Sequence, residues 1–118
     1  MAVTLNTSAF EYAKDLIAEK KVVRDNKDAW SEHQPTPEQE NTFIEDYGFD
    51  AYAKWHLGID RNEHEEVKGK YKFPYGDFQK VHRCGVLAAE SRAGQYRYPD
   101  IKAAAAHLHG MLEGVSVS

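Results

Sequence analysis

The final helix-like segment of the chain constrains the fold more than any other feature. Pro99 is suited to the first turn of a helix, and apolar positions then recur every three or four residues up to residue 114. Such a stripe has to be buried against a partner surface. We therefore predict a helix over residues 99–113, ended by Gly114, whose inward face consists of Ile101, Ala104, Ala105, Leu108 and Leu112.

The preceding segment, residues 77–95, is the predicted partner of that helix. Asp77 is a candidate N-cap, and a narrow stripe follows it. The small residues Gly85, Ala88, Ala89 and Ala93 would allow a second helix to approach closely. On this interpretation the inward positions are Phe78, Val81, Cys84, Ala88 and Ser91.

Three further segments have helix signals. Residues 8–21 begin with a Ser8/Glu11 capping pattern. Thr36 and Gln39 form a second capping pattern, with Pro37 at the first helical position. The helix that it begins is predicted to run to Tyr47 and to stop at Gly48. Residues 50–58 read as a short helix, and the alternation in residues 70–73 as an extended segment.

The sequence thus predicts a mainly α protein of four or five helices with at most one short β element. We expect one compact domain over residues 1–118, with frayed ends at residues 1–7 and 115–118.

Charge and cysteine content narrow the class of protein. The net charge is −4, which gives no basic excess for duplex nucleic acid. Acids dominate residues 25–60, whereas the balance turns positive over residues 68–102. Cys84 is alone, which is typical of a reducing compartment. With neither a leader pattern nor a long apolar run, we expect a cytoplasmic protein without a membrane partner.

No familiar catalytic or metal-binding motif is present. His107 and His109, two apart on a helix, would point in different directions, and the same argument separates His82 from Cys84. There is no CxxC pair, phosphate loop or nucleophile elbow. We therefore assign no catalytic, cofactor-binding or metal-binding residue and expect no cofactor. A small metal-dependent hydrolase using His82, His107 or His109 remains an alternative.

Basic and aromatic residues alternate at the start of the C-terminal half, and we interpret them as a contact surface. The leading hypothesis is a non-enzymatic interaction module that binds another protein through Lys70, Lys72, Tyr75, His82, Arg83 and Arg92. The alternative is binding of single-stranded nucleic acid, in which rings stack on bases and cations hold the backbone. It would use Tyr71, Phe73, Tyr75, Lys70, Lys72 and Arg83.

The order of motifs also resembles a known family. Trp30 is followed by "WHLGID", "KGKYKFPYGDF" and "VLAAESRAGQYRYPDIKAAAAHLHGML". This order, over residues 29–112, resembles a short domain that accompanies bacteriophage prohead protease-like (head-maturation) proteins, and small bacterial or prophage proteins. The resemblance implies a phage or mobile-element context and an extended segment that leads into two helices. It implies no catalytic residues, and we transfer no protease activity.

Overall fold

The computed structural model describes residues 3–114, which contain five α-helices and five short strands. The helices are α1 (Thr7–Ala18), α2 (Trp30–His33), α3 (Pro37–Ala53), α4 (Arg83–Gln95) and α5 (Pro99–Gly114). The strands are β1 (Val3–Leu5), β2 (Val22–Val23), β3 (His56–Asp60), β4 (Tyr71–Pro74) and β5 (Val81–His82). The mainly α prediction is confirmed, whereas the limit of one β element is wrong.

The strands form two small sheets. In the first, β3 lies between β1 and β4 and is antiparallel to both. In the second, β2 and β5 run parallel, with Val22 opposite Val81 and Val23 opposite His82. The central strand β3 occupies part of the segment that we predicted as a helix ending at Gly58. That glycine is buried mid-strand, where a Cβ atom would lie 2.9 Å from the Phe73 ring.

Residues 3–7, which we predicted to fray, contain strand β1 and a buried helix cap. Asn6, not Ser8, is the N-cap of α1, and its Oδ1 accepts a hydrogen bond from the Ala9 amide. Its Nδ2 donates to the carbonyls of Ala53 and His56. One side chain thus joins α1 to the end of α3 and to β3. Residues 1–2 and 115–118, also predicted to fray, lie outside the described residues.

Helix α3 begins as predicted, with the Thr36/Gln39 capping box formed in both directions and Pro37 in the first turn. The helical conformation is interrupted at Gly48, as the predicted stop requires. This residue has φ +85°, so the chain kinks there and helical structure resumes up to Ala53. The kink turns the end of the helix so that Tyr52 is buried while Tyr47 stays 68% exposed.

Helix α4 begins six residues later than predicted. Asp77 caps a turn instead, because its Oδ1 accepts hydrogen bonds from the amides of Gln79 and Lys80. The later start changes the buried face of the helix, which consists of Cys84, Gly85, Val86, Ala89 and Ala93. Only Cys84 is shared with the predicted helical stripe; Val81 is also buried, but in β5.

The core lies where α4 and α5 pack on each other, on α1 and on the first sheet. The predicted inward face of α5 is confirmed in full, since its five stripe residues are buried. Gly85 marks the closest approach in this region. A Cβ atom there would lie 2.6 Å from the Tyr75 carbonyl oxygen and 2.9 Å from the Trp30 ring.

Candidate metal centre

Two parallel strands bring the site together. Because Val23 is paired with His82, the chain leaves β2 and β5 at the same edge of their small sheet. Asp25 follows β2 by two residues, and Cys84 follows His82 by two residues. The carboxylate of Asp25 therefore meets the first turn of α4, although 59 residues separate it from Cys84.

Asp25 is the hub of this cluster. Its Oδ1 accepts a hydrogen bond from the Cys84 amide at 2.7 Å, which supplies the helix cap that the His82 side chain does not give. Its Oδ2 lies 2.7 Å from Nδ1 of His33, 2.7 Å from Nδ1 of His82 and 3.0 Å from Sγ of Cys84. The Asp25 side chain is only 6% exposed, so these contacts are shielded from solvent.

His33 reaches the cluster from α2, a single helical turn. The helix is anchored by Trp30, which is buried and packs close to Gly85 of α4. Nδ1 of His33 lies 3.9 Å from Sγ of Cys84, and its side chain is 38% exposed. His33 is therefore the member of the cluster that solvent reaches most easily.

His82 is held between two carboxylates. Its Nδ1 faces Asp25, and its Nε2 lies 2.8 Å from Oδ2 of Asp77. Asp77 is itself fixed by the amides of Gln79 and Lys80. A carboxylate on the outer nitrogen of a histidine fixes the tautomer and leaves the inner nitrogen free to act as a ligand, as in many metal sites.

The ionisation of these groups follows from their mutual contacts. Burial alone would raise the pKa of Asp25, but hydrogen bonds from Cys84, His33 and His82 outweigh it and hold that pKa well below its ordinary value. Burial likewise opposes the fall in the pKa of Asp77, which hydrogen bonds from His82, Lys80 and Gln79 lower to about 2.

The other two groups are shifted upward. The carboxylates of Asp77 and Asp25 raise the pKa of His82 against the opposing effect of burial. Burial and the neighbouring Asp25 raise the pKa of the Cys84 thiol to about 12. Without a metal, Cys84 is therefore a protonated thiol that donates to Asp25, and it is not a thiolate nucleophile.

The donor atoms of Asp25, His33, His82 and Cys84 all lie within 4.8 Å of one another. Two imidazole nitrogens, one sulfur and one carboxylate oxygen are the ligand types that zinc uses. Bonds of about 2.0–2.3 Å would place tetrahedral ligands roughly 3.3–3.8 Å apart. The shortest contacts, nitrogen to oxygen at 2.7 Å, would have to open by about 0.6–0.8 Å to admit the ion.

Sequence reasoning missed this cluster for two reasons. His82 ends a strand and is not in a helix, so the argument that separates its side chain from that of Cys84 does not apply. Asp25 and His33 lie in a polar segment without periodicity. The available signal was a pair of short segments that contain valine, Val22–Val23 and Val81–His82, each followed two residues later by a titratable side chain.

The residues of the predicted contact surface do not lie on one exposed face. Tyr75 and His82 are buried, which corrects their assignment to a surface, and the Tyr75 hydroxyl donates to the Lys54 carbonyl at 2.7 Å. Arg83 pairs with Glu113. The other three, Lys70, Lys72 and Arg92, are partly or fully exposed.

The nucleic-acid alternative depends on rings that the fold covers. Tyr71 and Tyr75 are buried, and Phe73 is partly buried against Tyr98. The two tyrosine rings are therefore not available for stacking on bases. Lys72 and Arg92 do line a groove of about 470 Å³ together with Phe73, Tyr96 and Tyr98.

The remaining histidines of the hydrolase alternative lie elsewhere. His107 packs edge-on against Phe10, and His109 contacts Glu90 and Glu113. Neither belongs to the cluster around Asp25. Among residues 3–114, no helix has both the length and the apolar character needed to span a bilayer.

Comparison of the chain with family models, with curated proteins and with solved structures gave no match. The resemblance to the domain that accompanies phage head-maturation proteins therefore stays a prediction from sequence motifs.

Proposed function

We propose that this protein is a non-enzymatic module that binds a zinc-class divalent ion through Asp25, His33, His82 and Cys84. The observation that carries the proposal is the convergence of four ligand atoms of the appropriate types within 4.8 Å. The histidine–carboxylate contact between His82 and Asp77 supports it, because metal-binding histidines are usually oriented in this way.

The donor set favours a borderline transition metal. A thiolate and two imidazoles suit Zn²⁺ and Co²⁺, whereas Mg²⁺ and Ca²⁺ require mainly oxygen ligands. The ion would take the place of the thiol proton that Cys84 donates to Asp25 in the metal-free cluster. Binding is therefore expected to release protons and to weaken as the pH falls.

Four protein ligands support a structural role for the ion. Structural zinc sites use four protein side chains in a tetrahedron, whereas catalytic sites keep one position for water or substrate. Here the four ligands would join the segment of Asp25 and His33 to β5 and α4. That arrangement favours an interaction module over the hydrolase alternative, which would need an open position on the ion.

Cobalt titration tests the proposal. Untagged, chelator-treated protein is expected to bind one equivalent of Co²⁺ with the intense visible bands of tetrahedral coordination and a near-ultraviolet thiolate-to-metal band. Zn²⁺ should displace the Co²⁺. Cys84→Ser should abolish the thiolate band, whereas His109→Ala, which changes a histidine outside the cluster, should leave the spectrum intact. Weak octahedral bands, or equal losses in both variants, would contradict a site at these residues.

Asp77→Asn provides a second prediction, about orientation rather than ligation. The substitution is expected to weaken Zn²⁺ binding about 10- to 100-fold, because His82 loses the carboxylate that fixes its tautomer. Competition with a chromophoric chelator measures the affinity, and ¹⁵N chemical shifts of His82 report the tautomer. Asp28→Asn, at an exposed position of the same charge, is the control. An unchanged tautomer with a weakened affinity would contradict this role for Asp77.

We also propose, on the sequence motifs alone, that the module works in a phage or mobile-element context. Neighbouring genes test this directly. Head or portal genes beside the coding sequence would support the context, and consistent placement among unrelated metabolic genes would speak against it.

A further inference from the structure

A large cleft lies beside the four proposed metal ligands, on the face formed by α3 and the turn that precedes β5. Its volume is about 1020 Å³. His33 and Asp77 stand at its edge, and the first three turns of α3 form one wall. The cleft is thus positioned by the same segments that carry the proposed metal ligands.

Aromatic rings form the apolar part of the cleft. Phe43 stacks on Phe78 with ring centroids 4.3 Å apart and planes 11° from parallel. Tyr47 lies 4.8 Å from Phe43, and Trp55 meets Phe78 edge-on at 6.1 Å. Tyr47 is 68% exposed, which leaves one large ring face available to a ligand.

The backbone at Phe78 supports the idea that this surface is specifically shaped. Phe78 has φ +70°, a conformation that non-glycine residues rarely adopt. The turn held by Asp77 maintains it and aims the ring at Phe43. Unfavourable backbone conformations of this kind persist where the surrounding structure fixes them, and they are concentrated at binding sites.

The charge of the cleft selects the kind of ligand. Glu38, Asp46 and Asp77 line it, and no lysine or arginine does. Glu38 and Asp46 form no ion pair with any of the residues 3–114. The surrounding sequence has the same sign, because residues 28–53 contain no lysine or arginine but seven acids: Asp28, Glu32, Glu38, Glu40, Glu45, Asp46 and Asp50.

We propose that this cleft binds a lysine- or arginine-containing segment of a partner protein. A cationic side chain would lie over the exposed ring of Tyr47, where the ring quadrupole attracts it, while its charge faces Asp46 and Glu38. The aromatic wall does not suit a bare metal ion, and the carboxylates repel the phosphates of a nucleic acid. The inference goes beyond the metal site and identifies the class of partner for the interaction module.

Peptide titration followed by amide NMR tests this surface. The probe is a capped heptapeptide with two Lys-Arg pairs separated by glycine, and its counterpart has glutamate at each charged position. At low salt the basic peptide is expected to shift the amides of Thr42, Phe43, Asp46, Tyr47 and Phe78, with weaker binding as salt rises. The acidic peptide should shift none of them.

Matched variants separate the cleft from acidity in general. Glu38→Gln with Asp46→Asn is expected to raise Kd about fivefold, whereas Glu32→Gln with Glu45→Gln removes equal charge outside the cleft and should change it little. Tyr47→Ala should raise Kd about threefold, and Tyr96→Ala, at a comparably exposed tyrosine, should not. Equal effects of the two double variants would overturn the proposal.

Two further outcomes are decisive. Concentration-dependent dimerisation that occupies the same amides would assign the cleft to a second copy of this chain and overturn the partner proposal. The basic peptide is expected to bind chelator-treated protein as well, because the rings and carboxylates of the cleft do not depend on the ion. Failure of Co²⁺ binding with retained peptide binding would thus remove the metal proposal alone, and the reverse result would remove the cleft proposal alone.

Discussion

Asp25→Ala is expected to lower the free energy of unfolding of the metal-free protein by about 3–5 kcal/mol. The carboxylate accepts from the Cys84 amide and contacts the two imidazoles and the thiol, and its side chain is 6% exposed. Alanine would leave the Cys84 amide, the Cys84 thiol and Nδ1 of His82 without this acceptor in a largely buried site. It would also remove the side-chain cap that Asp25 gives to the first turn of α4.

Urea denaturation of chelator-treated protein measures this effect. The control is Asp28→Ala, three residues further along the same segment and exposed, for which we expect a change within about 0.5 kcal/mol. Equal unfolding free energies for the two variants would show that the cluster contributes nothing to stability.

Zinc should widen the difference between Asp25→Ala and the unsubstituted protein. An ion at 100 times its Kd stabilises the form that binds it by about 2.7 kcal/mol. The Asp25→Ala variant, with one ligand removed, should gain much less. A stabilisation of the variant by zinc equal to that of the unsubstituted protein would place the ion elsewhere.

The parts of the fold that could be predicted depend on local signals. The buried stripe of α5 follows from spacing alone, and the start of α3 follows from Thr36, Pro37 and Gln39, which act within one turn. The strands could not be predicted in the same way. β3 contains Gly58, which resembles a helix stop, yet it is required because Phe73 and Ile101 pack against its backbone.

The start of α4 shows how two local signals can compete. Asp77 is a plausible helix cap in sequence, but its side chain caps a turn, and the extended chain that follows pairs with β2. The energetic reason is non-local, because the cap of α4 comes from Asp25, on a different segment. A sequence shows which residues can cap, but it does not show that a distant carboxylate will do so.

The candidate site was beyond sequence reasoning for the same reason. Its ligands come from three segments, and the pairs that matter are separated by 51 to 59 residues. Each histidine or cysteine alone looks like an ordinary core or surface residue. The parallel pairing of β2 with β5 makes them a cluster, and two-residue strands carry almost no pattern of their own.

The acidic character of residues 25–60, in contrast, was visible in the sequence, and the structure shows where some of these carboxylates lie. Part of it becomes the buried hub at Asp25, and part becomes the rim of the cleft at Glu38 and Asp46. His33 borders both, so the ion would hold one edge of the surface that receives the basic segment. The proposed ion would fix only the edge of the cleft at His33, which α2, a single turn, holds weakly, whereas the rings and carboxylates of α3 do not depend on it.

His56 should make the protein less stable as the pH falls below about 6.5. The ring is 3% exposed, with Nδ1 2.8 Å from the Tyr52 carbonyl oxygen. Burial lowers its pKa to about 4, although the hydrogen bond to Tyr52 acts in the opposite direction. Between these two values the unfolded chain binds a proton that the folded protein does not, so stability falls as acid is added. The loss from this group should reach about 3 kcal/mol at pH 4.

His56→Asn isolates the effect, because the amide nitrogen can keep the donation to Tyr52 but does not titrate. Unfolding free energies at pH 7.5, 6.0 and 4.5 are compared for the unsubstituted protein, for His56→Asn and for His64→Asn, an exposed control. Carboxylates and the other histidines contribute equally to all three and cancel in the differences. The His56→Asn curve should fall less steeply by about 2–3 kcal/mol over this range, and the His64→Asn curve should follow that of the unsubstituted protein. If the His56→Asn and unsubstituted curves are parallel, His56 does not titrate differently in the folded and unfolded states.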